Sequence, residues 1–297
     1  MSVDTGLRPL GPTRELAAIW IFVERELRMQ VYFRFSFFTS LMETASSLVI
    51  YGMIARFGQV LPEVQAIAGG DYVTFVVSGI VLNTLLATAL SGPYFGLMNT
   101  FWQGRTEVLL ASPLRLPVLI TGVSIGRYLD AAIRIVIYLA GGALFLGLVW
   151  PRAIGLAAAL PVFILAVAAC TGLGLAAAST VYLLDARGGH DPVRLVVETI
   201  VGLVGGVYFP ITILPLWAQW IGQVVPHTYA IDGMRRAFYG SAQLPPLPVH
   251  RALGLDPFLG DCLMLALYAT MALPVGWVLF KRGLRLARTD GRLSRWV

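Results

Sequence analysis

The sequence predicts an all-α membrane protein with six transmembrane helices, and three observations carry that expectation. Of its 297 residues, 57% are hydrophobic and 13% charged, against roughly half apolar and a quarter charged in an ordinary soluble domain. Six apolar segments approach the ~20 residues that a helix needs to cross a bilayer core. Basic residues collect at the two ends of the chain: Arg8, Arg14, Arg25, Arg28 and Arg34 at one, Lys281, Arg282, Arg285, Arg288, Arg292 and Arg295 at the other. So few charges cannot cover so much apolar bulk in water. That excludes a soluble enzyme, a disordered chain and a secreted disulfide scaffold. Cys170 and Cys262 both lie in apolar stretches and form no disulfide or CxxC pattern. The Arg-rich start has no short apolar run ending in small residues, so no cleavable leader is expected.

The first element is a helix over Thr13–Arg34 that is too charged to span. Leu16, Ile19, Trp20, Val23, Leu27 and Val31 recur at helical spacing, while Arg14, Glu24, Arg25 and Arg28 fall mostly elsewhere. Such a helix lies in the membrane interface or docks on a partner, with Arg14, Trp20, Glu24 and Arg28 as its contact residues. Residues 1–34 are accordingly a tail plus an amphipathic helix, 35–280 the membrane domain, and 281–297 a basic tail.

The spans are expected at Phe35–Phe57, Tyr72–Leu97, Tyr128–Trp150, Leu160–Leu183, Val193–Phe209, which is short, and Pro257–Phe280. The first connection, Gly58–Asp71, carries Glu63 and Asp71 and no Lys or Arg, so the positive-inside rule puts both termini in the cytoplasm, in a multi-pass plasma-membrane protein. Arg105, Arg115 and Arg187 then lie inside. Arg235, Arg236 and Arg251, on the last outer connection, run against the rule.

Three polar constellations stand out. Ser36, Ser40, Glu43 and Ser47 are spaced 4, 3 and 4, so they share one face of the first span. A mid-bilayer charge costs roughly 2.5–3.5 kcal/mol on insertion scales, so that face meets protein or a polar cavity. Glu43 is either a gating carboxylate or a hydrogen-bonded packing residue. Arg127, Asp130 and Arg134, spaced 3 and 4, form a charge ladder. With the span starting at Tyr128, Arg134 falls near the inner boundary and snorkelling is the simpler account of it. Arg194 and Glu198 make an intrahelical pair, and the small face Ala168, Gly172, Ala176 and Thr180 of the fourth span is a packing surface.

Two connections do more than connect. In Asn99–Pro117 a short helix from Arg105 to Leu110 is stopped at Ser112-Pro113, because proline disfavours helix just before it. Arg105, Thr106 and Glu107 stand beside Val108, Leu109 and Leu110, an apolar knob suited to a groove on a cytoplasmic partner. In Pro210–Tyr239, Pro210, Pro215 and Pro226 cut the chain into pieces too short to cross. Trp217 and Trp220 suit the headgroup level, so two short helices are expected to dip into the outer leaflet and return.

Catalytic signatures are missing. Lys281 is the sole lysine, in FKRG, so there is no GxxxxGK[ST] phosphate loop. No HExxH, GxSxG or Cys/His metal spacing occurs, and no metal or nucleic-acid partner is expected.

Two stretches resemble the membrane subunits of type-2 ABC exporters, also called type V ABC transporters. Gln103–Gly122 is similar to the family's R-x-x-G-T-x-E-x-L-L-x-S-P-L stretch through Glu107, Leu109, Leu110, Ser112 and Pro113, departing where Gly104 precedes Arg105-Thr106. Gly206–Arg236 resembles its G-x-x-F-P-x-x-x-L-P-x-W stretch and the P-x-T-Y that follows, through Phe209, Pro210, Leu214, Pro215, Trp217, Pro226, Thr228 and Tyr229. The resemblance spans about residues 14–285. It implies an interface helix at the start, a coupling helix at about Gln103–Leu110 and re-entrant outer helices at Ile211–Tyr239. It also implies a separate ATPase subunit that binds ATP and Mg, a second membrane subunit, and no cofactor in this chain. The expected role is the permease subunit of an exporter for an amphipathic drug, lipid or lipid-linked glycan. An ion-coupled secondary transporter using Glu43 is the first alternative. It would show two related halves, which the sequence lacks. A membrane-embedded enzyme is the second, with His227 and Asp232 its nearest pair.

Overall fold

Proline and glycine punctuate the chain more than length does. The computed structural model describes residues 11–60, 71–102, 116–150, 153–183, 192–240 and 244–289, and every regular element among them is helical. Helix α1 runs Pro12–Tyr32, with proline at the first helical position, where its missing N–H costs nothing. A one-residue break at Phe33 leads into α2, Arg34–Gln59. Then come α3, Tyr72–Trp102, and α4, Leu116–Gly141. A π-helical turn, Gly142–Leu146, extends α4 and stops at Gly147, whose positive φ of 77° suits glycine. Helix α5 is Ala153–Leu183 and α6 is Pro192–Val204. After a 3₁₀ turn at Ile211–Ile213 follow α7, Leu216–Gly222, α8, Pro226–Tyr239, and α9, Pro248–Leu253. The last helix, α10, is Pro257–Thr289.

Five of these are long and apolar enough to cross a membrane: windows Phe37–Gln59, Tyr72–Phe95, Ile120–Leu146, Ala153–Thr180 and Pro257–Leu286 in α2, α3, α4, α5 and α10. The expected fifth span, Val193–Phe209, is shorter than read. Helix α6 has 13 residues, about 20 Å at 1.5 Å per residue, against ~30 Å of hydrocarbon. Gly205 and Gly206 end it, Gly206 at φ 79°. The expected third span also begins too late at Tyr128: α4 starts at Leu116 and its apolar window at Ile120.

Helix α3 is central. About two-thirds of its apolar window is buried, against less than a fifth of that in α2. Its Leu86, Ala89 and Leu90 share a core with Val162, Ala166 and Cys170 of α5, Tyr229, Ile231 and Met234 of α8, and Leu265 of α10. Glycine lets the backbones approach. A Cβ on Gly172 would lie 2.5 Å from the backbone of Ala272 and Leu273, and one on Gly276 2.1 Å from the Gly172 carbonyl. The small face of the fourth span is thus a packing surface where α5 meets α10 backbone to backbone.

Candidate functional site

The apolar helices hold several polar constellations in place, from the first helix to the segment after α6. Along α1, Phe22 and Val23 are buried. The ring of Phe22 occupies the space a Cβ would take on Gly122 of α4 (2.7 Å). Leu16, Trp20 and Leu27 point outward, as does Arg14. Arg28 donates to Glu24 at 2.5 Å, and the Arg25 guanidinium lies 5.5 Å from the Phe22 ring. The helix thus presents a second, uncovered apolar face flanked by arginines.

On α2 the stripe is only partly covered. Ser40 and Ser47 are half-buried and Glu43 is exposed, while only the backbone of Ser36 is described. Thr44, one residue on, is buried and donates to the Ser40 carbonyl at 2.8 Å. Farther along, Tyr51 stacks on Tyr208 with 4.6 Å between ring centroids.

The charge ladder on α4 closes at one rung. Arg134 lies 3.4 Å from Asp130, whereas Arg127 sits 5.1 Å over the Phe95 ring of α3. Arg194, which chelates Glu198 at 2.9 and 3.0 Å, approaches the same ring at 5.1 Å. Because α4 begins early, Arg134 lies about 20 Å from either end of its apolar window. The place near a span end on which snorkelling rested is thus not the one its apolar window gives, and its guanidinium meets Asp130 within the chain.

Residues Arg105, Thr106, Glu107, Val108, Leu109 and Leu110 lie outside the described residues.

The segment after α6 is the most elaborate. Pro210 is buried, while Pro215 and Trp217 are exposed. Helix α7 points Leu216, Trp217, Trp220 and Ile221 outward, an apolar rim at a helix too short to cross. Beneath it the turn into α8 is tied by side chains. Gln219 donates to the carbonyls of Leu214 (2.6 Å) and Thr212 (3.3 Å), and Gln223 donates to Gln219 (2.9 Å) and accepts from the Val249 amide (3.1 Å). Thr228 donates to the Gly222 carbonyl and Tyr268 to the Val224 carbonyl at 2.8 Å. Irregular backbone at a membrane needs such cover. Gln219 and Gln223 escaped the sequence reading, although two glutamines in WAQWIGQVVP are a visible anomaly.

Helix α8 opens with Pro226 at its first position, buried like Tyr229. It buries Arg235 and Arg236 at 3% and 2% exposure. Arg235 donates to the carbonyls of Gly206 (2.6 Å), Phe75 (2.8 Å) and Val207 (2.8 Å), with its guanidinium 3.5 Å over the Phe75 ring. Burial pushes it down to about 9, against the pull of Asp232, so it stays cationic at neutral pH. Arg236 donates to Asp232 and to the carbonyls of Leu244 and Pro245. Two of the three arginines that ran against the charge rule are therefore enclosed by protein. His227 faces Cys170 at 3.8 Å and Asp232 faces Arg236, so the pair an enzyme would need goes to separate partners.

Set beside known proteins, the chain finds no match among curated ones. The sequence model of one family, the ABC-2 type transporter, matches residues 17–239, about three-quarters of the chain. With several apolar helices long enough to cross a bilayer, and with the proline-cut segment after α6 inside the matched range, this integral, multi-pass membrane protein belongs to the ABC-2 type transporter family.

Proposed function

We propose that this chain is the permease subunit of an ATP-driven exporter, assembled from two membrane subunits and two separate ATPase subunits that bind ATP and Mg. Family membership is the observation that carries the reading. The lack of a phosphate-loop lysine supports placing hydrolysis on a partner chain. Closure of the ATPases pushes on the stretch Arg105–Leu110, with Glu107 and Leu109 seated in a groove on the ATPase, and packed helices carry the push to a path between the membrane subunits. Exposed Glu43 on the uncovered face of α2 supports that face as the wall of the path or its partner contact. A mostly apolar wall with one polar stripe suits an amphipathic cargo: a drug, a lipid or a lipid-linked glycan.

In the proposed topology the chain crosses six times, α6 with the residues after it making the short fifth traverse. Both termini are then cytoplasmic, with α1 in the inner interface and α7 and α8 re-entering from outside.

The test is reconstitution with the partner ATPase. Glu107→Arg combined with Leu109→Asp is expected to abolish cargo-stimulated ATPase activity and export while both subunits still reach the membrane. Full coupling in that variant refutes the docking assignment. Transport driven by an ion gradient in vesicles without ATP refutes the exporter reading and favours a secondary transporter.

A further inference from the structure

Four ionisable side chains from three elements meet under α8. Asp232 and Arg236 come from α8, His250 from α9 and Asp261 from the first turns of α10. The side chains of Arg236, His250 and Asp261 are 0% exposed and that of Asp232 14%. Arg236 Nε lies 2.8 Å from Asp232 Oδ2 and 3.6 Å from Asp261 Oδ2. His250 Nε2 lies 3.2 Å from Asp261 Oδ1. Glycine clears the space. A Cβ on Gly260 would stand 2.6 Å from the imidazole, and one on Gly233 3.1 Å from the Asp261 Cβ. Tyr229, 6.5 Å from the His250 ring, Asp256 and Cys262 complete the titratable surroundings. Helix α5 contributes Val162 beside Gly233 and has no charged residue in its sequence.

The charges do not balance. Two carboxylates face one guanidinium. Burial holds the His250 imidazole below its ordinary value against the pull of Asp232, so it enters neutral near pH 7. The set then carries a net charge of about −1 in surroundings that charge enters only at high cost. One proton brings the sum to zero. A divalent cation is the other candidate, since ligand atoms of Asp232, His250 and Asp261 lie within 4.8 Å of one another. It would turn the sum to about +1, no better than before, and Arg236 already stands between the carboxylates. Electrostatics therefore favours the proton.

We propose that Asp232, Arg236, His250 and Asp261 form a joint that binds one proton between His250 and Asp261 and so clamps α8 to α10. The proton comes from water and returns to it, and no other bond changes. When it leaves, the buried negative charge is uncompensated and the clamp loosens. The chain's own geometry carries this joint. Only the side from which the proton arrives, the outer one, rests on the proposed topology.

The experiment measures the thermal unfolding midpoint of the purified full-length chain in detergent against pH, which involves neither ATPase nor cargo. Failure there leaves the exporter reading standing, and failure of coupled ATPase activity leaves the joint standing. The folded state holds a proton that the unfolded state, with a free imidazole at about 6.5 and free carboxylates at about 4, gives up above about pH 6.5, so the midpoint is expected to fall as pH rises from about 7 to about 9. Asp261→Asn and Asp232→Asn each leave one carboxylate per guanidinium. Either is expected to flatten that fall and to raise the midpoint at pH 9 above that of the parent chain. If Asp261→Asn does not fold, Asp232→Asn still decides. A fall that persists in the folded variants overturns the proposal. So does a midpoint in the parent chain that shifts with zinc or with a chelator, because the site then holds a metal.

Discussion

Helix α2 is mostly apolar and largely uncovered, whereas α8 carries His227, Asp232, Arg235 and Arg236 and buries ten of its fourteen residues. Phe38, Val49, Ile50, Met53, Ile54 and Phe57 of α2 are all more than half exposed. The inversion follows from the solvent. Lipid covers an apolar helix at no cost, but it offers nothing to a guanidinium or a free carbonyl, which must find partners inside the protein. What α8 adds to the molecule is thus a set of bonds, and what α2 adds is a surface.

The largest break in this contrast is expected from Arg236→Leu. Asp232 and Asp261 are left buried without their cation, at a cost of about 3–5 kcal/mol. It should appear as a collapse of the unfolding midpoint or of the yield of monodisperse protein, and an unchanged midpoint would show that α8 is not held by its charges. A smaller effect concerns His227, which burial pushes down to about 4, against about 6.5 in an unfolded chain. Between those values the unfolded state binds a proton that the folded state refuses, so stability falls as pH drops from about 6.5 towards 4. The variant His227→Gln should lose that acid limb and keep the alkaline one, and a retained acid limb would place the titrating group elsewhere. The smallest effect is expected from Glu43→Gln on α2: stability within about 0.5 kcal/mol of the parent, with reduced export by the assembled transporter. A large loss of stability would mean that assembly covers Glu43 as thoroughly as this chain covers Arg236.

Which parts could be read in advance follows the same division. The four long spans before α6 and the one after α9 announce themselves as apolar runs, because lipid selects for composition. The end of α6 was misjudged because apolar residues continue to Phe209 although Gly205 and Gly206 stop the helix. The start of α4 was missed because glycines and Ser124 dilute the apolar signal before Arg127. The buried joint was invisible for another reason. Asp232 and Asp261 are 29 positions apart, and each alone looks like an ordinary acid on a helix. Arg235 and Arg236 were counted as loop charges, since sequence alone cannot distinguish a solvated arginine from one folded onto carbonyls.

The two neighbouring arginines also differ in time. The carbonyls that Arg235 grips belong to Phe75, Gly206 and Val207, all synthesised before it. Arg236 waits for Leu244, Pro245 and Asp261, which the ribosome has yet to make. A nascent chain halted after Tyr239 can therefore seat Arg235 on all three carbonyls but Arg236 on Asp232 without its later partners. Completion of the last helix becomes the event that locks the segment between α6 and α10, and a chain truncated at Tyr239 would carry a cation held by Asp232 alone among these partners.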